Sequence, residues 1–234
     1  NTNSTLGSSN FDGSTQSTVK VNQTAGFSIV KYAGNGSTAT IGHGLGAAPQ
    51  TYIVKEINST ADWYVYHKEI GATRQLKLNT TDARANNDRW QDTDPTSSVF
   101  YLAQKTASNG SGDDYIAYCF SEVSSYSKFG SYVGNGSSDG VFVHLGFRPR
   151  YVVFKRTDST SNWNVRDTAR DPFNTTGQYL NPNLSGGEAT SSSKIDLLSN
   201  GFKHYNTSGA FNASGGKFIY LAFAESPFKN ARAR

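Results

Sequence analysis

Tyr32-Ala33-Gly34-Asn35-Gly36-Ser37 returns one hundred residues later as Tyr132-Val133-Gly134-Asn135-Gly136-Ser137. The surroundings return at the same spacing. Leu45-Gly46 matches Leu145-Gly146, Pro49 matches Pro149, Lys55 matches Lys155, and Trp63 and Val65 match Trp163 and Val165. Toward the ends the spacing becomes 103: Asn109, Ile116, Phe120 and Glu122 match Asn212, Ile219, Phe223 and Glu225. Self-similarity at a long, fixed period marks one structural unit used repeatedly. The pattern therefore predicts two tandem copies, 26–125 and 126–228. Only the middles, 72–98 and 172–200, align poorly.

Each copy reads as β. Thr51 to Lys55 and Tyr151 to Lys155 are compact β-branched and aromatic runs. Further runs follow about every ten residues, with Gly, Asn and Pro between them. No stretch sustains a helical period. The expected fold is all-β: two tandem, internally repeated antiparallel β-sandwich units of jelly-roll type. Residues 1–25, rich in Asn, Ser, Thr and Gly, read as an arm or linker. Residues 229–234, with Lys229, Arg232 and Arg234, form a basic tail.

Alternation along the tryptophan strand suggests which side is dry. Trp63/Trp163 and Val65/Val165 are shared, whereas Tyr64/Asn164 and Tyr66/Arg166 differ. Successive side chains of a strand point to opposite faces. The shared set is therefore expected inward, together with Ile116/Ile219, Tyr118/Leu221 and Phe120/Phe223, and the divergent set outward.

Composition narrows the function classes. Of 234 residues, 35% are hydrophobic and 13% aromatic, which suits short strands and many loops. Net charge is +4, and three of the basic groups sit in the last six residues, so the body shows no basic surface for nucleic acid. No apolar run reaches the roughly 20 residues of a membrane helix. One cysteine, Cys119, permits no intrachain disulfide. Asn35, Asn58 and Asn79 open Asn-x-Ser/Thr triplets, which a chain this rich in those residues yields by chance. The chain lacks methionine and starts at Asn1, and is expected to be a portion of a longer protein.

No catalytic constellation emerges. His43, His67, His144 and His204 have no metal-ligand spacing, and no Gly-x-Ser-x-Gly elbow occurs. No metal and no cofactor is expected. Asp88, Asp92 and Asp94 cluster around Trp90. Two carboxylates beside an aromatic ring are the equipment of a glycosidase, but Asp-x-Asp-Pro is also ordinary turn chemistry. Asn109, Ser111 and Asp113 loosely echo a calcium loop, with a hairpin turn as the simpler reading. Trp90 has no partner in the second copy. With outward Tyr64 and Tyr66 it is the candidate for stacking on a sugar or anchoring an interface. The alternative is that Trp90 plugs a gap beneath a long loop.

The ordered series of motifs has a family likeness. Tyr32 to Ser37, Gly42 to Gly46, Trp63 to His67, Leu78 to Thr81, Tyr115 to Phe120, Ser127 to Ser131, Gly146 to Pro149 and Ala222 to Phe228 stand in this order. Over about 26–229 the chain resembles a duplicated β-rich domain of marine bacteriophage virion proteins, which often closes long fibre-like chains. The resemblance carries no catalytic residues. It implies a non-catalytic virion structural protein, most simply the distal, host-facing part of a tail fibre that binds cell-surface glycan. Its partners would be its own copies, with a trimer favoured, and other virion proteins. A capsid decoration protein clamping neighbours with 1–25 and the basic tail is one alternative. A glycan depolymerase using Asp88, Asp92 and Asp94 is another.

Overall fold

A computed structural model describes residues 7–226, so the basic tail at 229–234 lies outside the described residues. The chain is nearly all β and divides into two units. The first holds the described residues up to Lys77 together with Ala85–Glu122. The second holds Leu78–Arg84 and the described residues from Val123 onward.

The first unit contains β1 (Ser8–Asn10), β2 (Ser17–Asn22), β3 (Phe27–Ala33), β4 (Ala39–Gly42), β5 (Thr51–Glu56), β6 (Tyr64–His67), β7 (Arg74–Lys77), β8 (Ala85–Asn86), β9 (Val99–Leu102), the one-turn helix α1 (Thr106–Asn109) and β10 (Asp114–Phe120). One sheet runs β1-β2-β3-β10-β5-β6-β7-β8, and β4 pairs with β9 in a second. The second unit contains β11 (Ser127–Val133), β12 (Phe142–His144), β13 (Pro149–Arg156), β14 (Asn164–Asp167), β15 (Thr176–Tyr179), β16 (Ala189–Leu198), β17 (Gly201–Tyr205) and β18 (Lys217–Ala224). Its sheets run β11-β18-β13-β14 and β12-β17-β16-β15. The order β3-β10-β5-β6 in the first unit thus has its counterpart in β11-β18-β13-β14.

The described part of the segment expected as an arm contributes β1 and β2 to the first sheet instead. Strand β2 pairs antiparallel with β3 from Ser17↔Tyr32 to Asn22↔Phe27, and Val19 enters the core. The turn between them is fixed by the Asn22 side chain, which accepts from the Ala25 N–H, and by Gly26 at φ 62°. Composition hid this strand, although the run Thr18-Val19-Lys20-Val21 alternates as a strand does.

The Tyr-x-Gly-Asn-Gly-Ser motif is a structural clamp. Buried Asn109 donates through Nδ2 to Asn35 Oδ1 and Ser37 O, and its Oδ1 accepts from the Asn35 N–H. Buried Asn212 does the same with Asn135 and Ser137 at 2.8, 2.9 and 3.0 Å. The tyrosine hydroxyls complete each clamp, Tyr32 donating to Ser108 O and Tyr132 to Phe211 O. The first glycine is required by closeness. A Cβ at Gly34 would stand 2.0 Å from Gly110 O, and one at Gly134 would stand 2.3 Å from Ala213 O. The stretch at Asn109, Ser111 and Asp113 is a turn from the end of α1 into β10, not the expected hairpin, because β9 pairs with β4 while β10 pairs with β3 and β5.

The cores lie on the face opposite to the expected one. In the first unit the core contains Tyr52, Tyr64, Tyr66, Tyr115, Ala117 and Cys119. In the second it contains Phe154, Phe218, Tyr220 and Ala222. Of the shared set, Val65, Trp163, Val165, Ile219 and Leu221 are buried as well, whereas Trp63, Ile116, Tyr118, Phe120 and Phe223 are half-buried. Both faces are apolar at these strands, so alternation alone does not identify the sandwich interior.

Candidate functional site

Trp90, Tyr64 and Tyr66 are core residues and present no ring to a ligand. Trp90 is 0% exposed. It meets Tyr52 edge-on at 4.9 Å and Tyr66 at 6.4 Å, and its indole N–H donates to Arg74 O at 3.0 Å. It fills the space beneath the 87–98 loop that carries it, between β8 and β9. Tyr66 stacks on Tyr52 at 4.6 Å. Tyr64 carries the guanidinium of buried Arg89 at 3.5 Å from its ring centre. They are buried because the segment after β8 folds over this side of β6, bringing Arg89 onto Tyr64 and Trp90 and Asp94 onto Tyr66.

The three aspartates are exposed but do not converge. Asp88 pairs with Lys105 at 2.6 Å, and that hydrogen bond holds its carboxyl below the usual range. Asp94 accepts from the Tyr66 hydroxyl at 3.0 Å. Asp92 sits with Gln91 in left-handed backbone, at φ 48° and 53°. Two of the three are thus committed to structural partners.

No group of three His, Cys, Asp or Glu suited to a metal ion occurs among the described residues. Buried His43 points Nε2 at Thr96 O, and its Nδ1 accepts from the Leu45 N–H. Cys119 is buried, and burial pushes its thiol well up. A groove of about 360 Å³ runs along β1 and β2, lined by Ser8, Ser9, Asn10, Val19 and Val21 among others, without an aromatic ring.

The outer face of the β12-β17-β16 sheet is different. Val143, Phe202, His204, Ile195 and Leu197 point inward and are buried. The alternate residues face out. Phe142 stands opposite Lys203, and Lys203 opposite Asp196. Tyr205, two residues on, stands opposite Lys194. Phe142 is 43% and Tyr205 40% exposed. Lys203 Nζ pairs with Asp139 at 2.5 Å and lies 5.4 Å from the Tyr205 ring centre. Burial pushes the Asp196 carboxyl up, and the Tyr205 hydroxyl works against that. A Cβ added at Gly201 would lie 3.1 Å from Phe142 Cε2, so the Phe142 ring closes over bare backbone. The result is two exposed rings with paired charges between them. Such a surface can stack on flat apolar rings and hydrogen-bond to hydroxyls around them. Strand alternation in Gly201-Phe202-Lys203-His204-Tyr205 was the available signal. It was missed because attention went to the unmatched middle of the first copy, and Gly201–Tyr205 lies just outside the unmatched stretch 172–200 of the second.

No curated protein and no solved structure matches the chain. A family model described as a domain of unknown function (DUF7483) matches residues 2–227. Since that match covers nearly all of the chain, the protein belongs to the DUF7483 family.

Proposed function

We propose that the chain is a non-catalytic structural protein of a bacteriophage virion, forming the distal, host-facing part of a tail fibre or similar appendage and binding cell-surface glycan. The virion assignment rests on the ordered motif series and its resemblance to fibre-like phage proteins. The binding role rests on one observation: Phe142 and Tyr205 hold two exposed rings on one solvent-facing sheet, with Lys203 and Asp139 beside them. The protein acts on the particle surface as a homo-oligomer, a trimer being favoured, next to other virion proteins.

The decoration alternative is weakened because the described part of 1–25 is built into a sheet and is not free to clamp a neighbour. The depolymerase alternative is weakened because Asp88 and Asp94 already have partners. Quantitative mass spectrometry of purified particles tests the proposal. A fibre component is present in tens of copies or fewer, and hundreds of copies per particle would overturn the fibre assignment.

A further inference from the structure

We infer that the outer face of β12, β17 and β16 takes a neutral, hydroxyl-rich glycan and discriminates against acidic ones. This deepens the glycan-binding reading above and rests on it. Four observations carry it.

The first is the placing of the rings. Phe142 is opposite Lys203, and Tyr205 is two residues further along the same strand. Diagonal neighbours on one sheet face stand roughly 7–8 Å apart. Two such rings meet the apolar faces of two successive sugar residues, with Lys203 and Asp196 continuing the row of Phe142 and Lys194 that of Tyr205.

The second is charge. The face carries Lys194 and Lys203 against Asp139 and Asp196, which is no net charge. The Lys203 ammonium is already held by Asp139. A sulfated or carboxylated chain arriving here meets two carboxylates and must break that pair. A neutral hydroxyl donates to Asp139 or Asp196 and accepts from Lys203 without breaking it.

The third is rigidity. Phe142 is seated over Gly201 and the Tyr205 ring stands beside the Lys203 ammonium, so both rings are held before a ligand arrives. The fourth is contrast within the chain. On β4 and β9 of the first unit the outward pair is Thr40 and Tyr101, and residues 13–15 lie against β4, with Ser14 and Thr40 exchanging hydrogen bonds of 2.8 and 2.9 Å. The exposed two-ring surface is a feature of the second unit.

The whole chain carries +4, which attracts any polyanion in a salt-sensitive way. Salt therefore separates the two kinds of binding. Affinity electrophoresis of the intact protein is run through gels holding a neutral glucan, galactan or mannan, or dextran sulfate, at low and high salt. Retardation by at least one neutral polymer is expected, unchanged by salt. Phe142→Ala and Tyr205→Ala each weaken it about tenfold, on the order of one lost ring contact, while Tyr205→Phe keeps it. Both positions are exposed, and equal thermal midpoints show that the variants fold. Neutral-polymer binding untouched by both ring removals overturns the inference and leaves glycan binding standing elsewhere. Binding to dextran sulfate alone, lost in salt, overturns the neutral specificity. No retardation by any polymer removes the glycan reading and the inference with it. If Phe142→Ala instead dissolves an oligomer in sedimentation, the face joins copies of this chain and the inference fails.

Discussion

Arg166 and His204 put two ionisable side chains into the interior of the second unit. Arg166 is 0% exposed and spends its donors on Asn164 Oδ1 and the carbonyls of Gln178 and Ser193. His204 is packed among Tyr132, Phe154 and Phe202, and both ring nitrogens lack a hydrogen-bond partner. Burial, then the Arg166 charge, pushes its imidazole down to about 3. The unfolded chain protonates near 6.5. Between those values the unfolded state binds a proton that the folded state refuses, so stability falls as pH falls through that window. The slope contributed is on the order of 1.4 kcal/mol per pH unit. Thermal midpoints measured from pH 7 to pH 4 should drop less in His204→Phe than in the parent; equal drops contradict this account. At this scale sharing and divergence between the copies did not separate inside from outside. Tyr66 and Arg166 occupy one position and were expected outside because they diverge. Each is buried under what covers its own sheet, and that cover is what differs between the units. Tyr66 packs on Tyr52 and Trp90, while Arg166 lies by Tyr179 and Phe211. A residue changes with its neighbours in a core as freely as it does in water.

Strands β10 and β18 show the same compensation as a pair of elements. Ala117 faces Val30 across β10 and β3, whereas Tyr220 faces Gly130 across β18 and β11. Small meets large in both, with the sizes exchanged. A Cβ at Gly130 would lie 2.5 Å from the Tyr220 hydroxyl and 2.8 Å from Cζ. Gly130→Val should therefore cost about 1–3 kcal/mol through overpacking. Adding Tyr220→Ala reproduces the pairing of the first unit, and the double variant should be more stable than the sum of the two single effects allows. Chemical denaturation in a double-mutant cycle measures this, and strict additivity would falsify it. Strands as elements were legible from their β-branched and aromatic runs. Their registers and opposite faces were not, because a sheet apolar on both sides erases the alternation that normally reports them.

For the whole molecule, the all-β architecture was legible from the β-branched and aromatic runs, and the chain divides into two units. Their composition was not legible, since the second unit includes Leu78–Arg84. In that unit Lys155, 0% exposed, donates to Thr81 O at 2.9 Å and Ser161 O at 2.5 Å, and burial pushes its ammonium down to about 8. Ser161 N–H donates to Thr81 O, and Arg84 N–H to Thr157 O, both at 2.9 Å. A fragment of 123–234 lacks those partners and leaves a buried ammonium short of an acceptor, a loss that costs about 1–3 kcal/mol or more. Fusing 78–84 back through a Gly/Ser linker should raise its thermal midpoint; identical midpoints would show that these residues only pass by.

The second unit is therefore discontinuous along the chain, and this bears on the moment of synthesis. Residues 78–84 leave the ribosome well before the strands that need them. At roughly 5–20 residues per second they stay exposed for seconds. Strand β18, the centre of the second unit's first sheet, emerges last of all its strands. Lys155 finds its carbonyl at Thr81 only if that early segment has remained unclaimed in the meantime, so the last strand to be made closes a structure whose first piece was made long before.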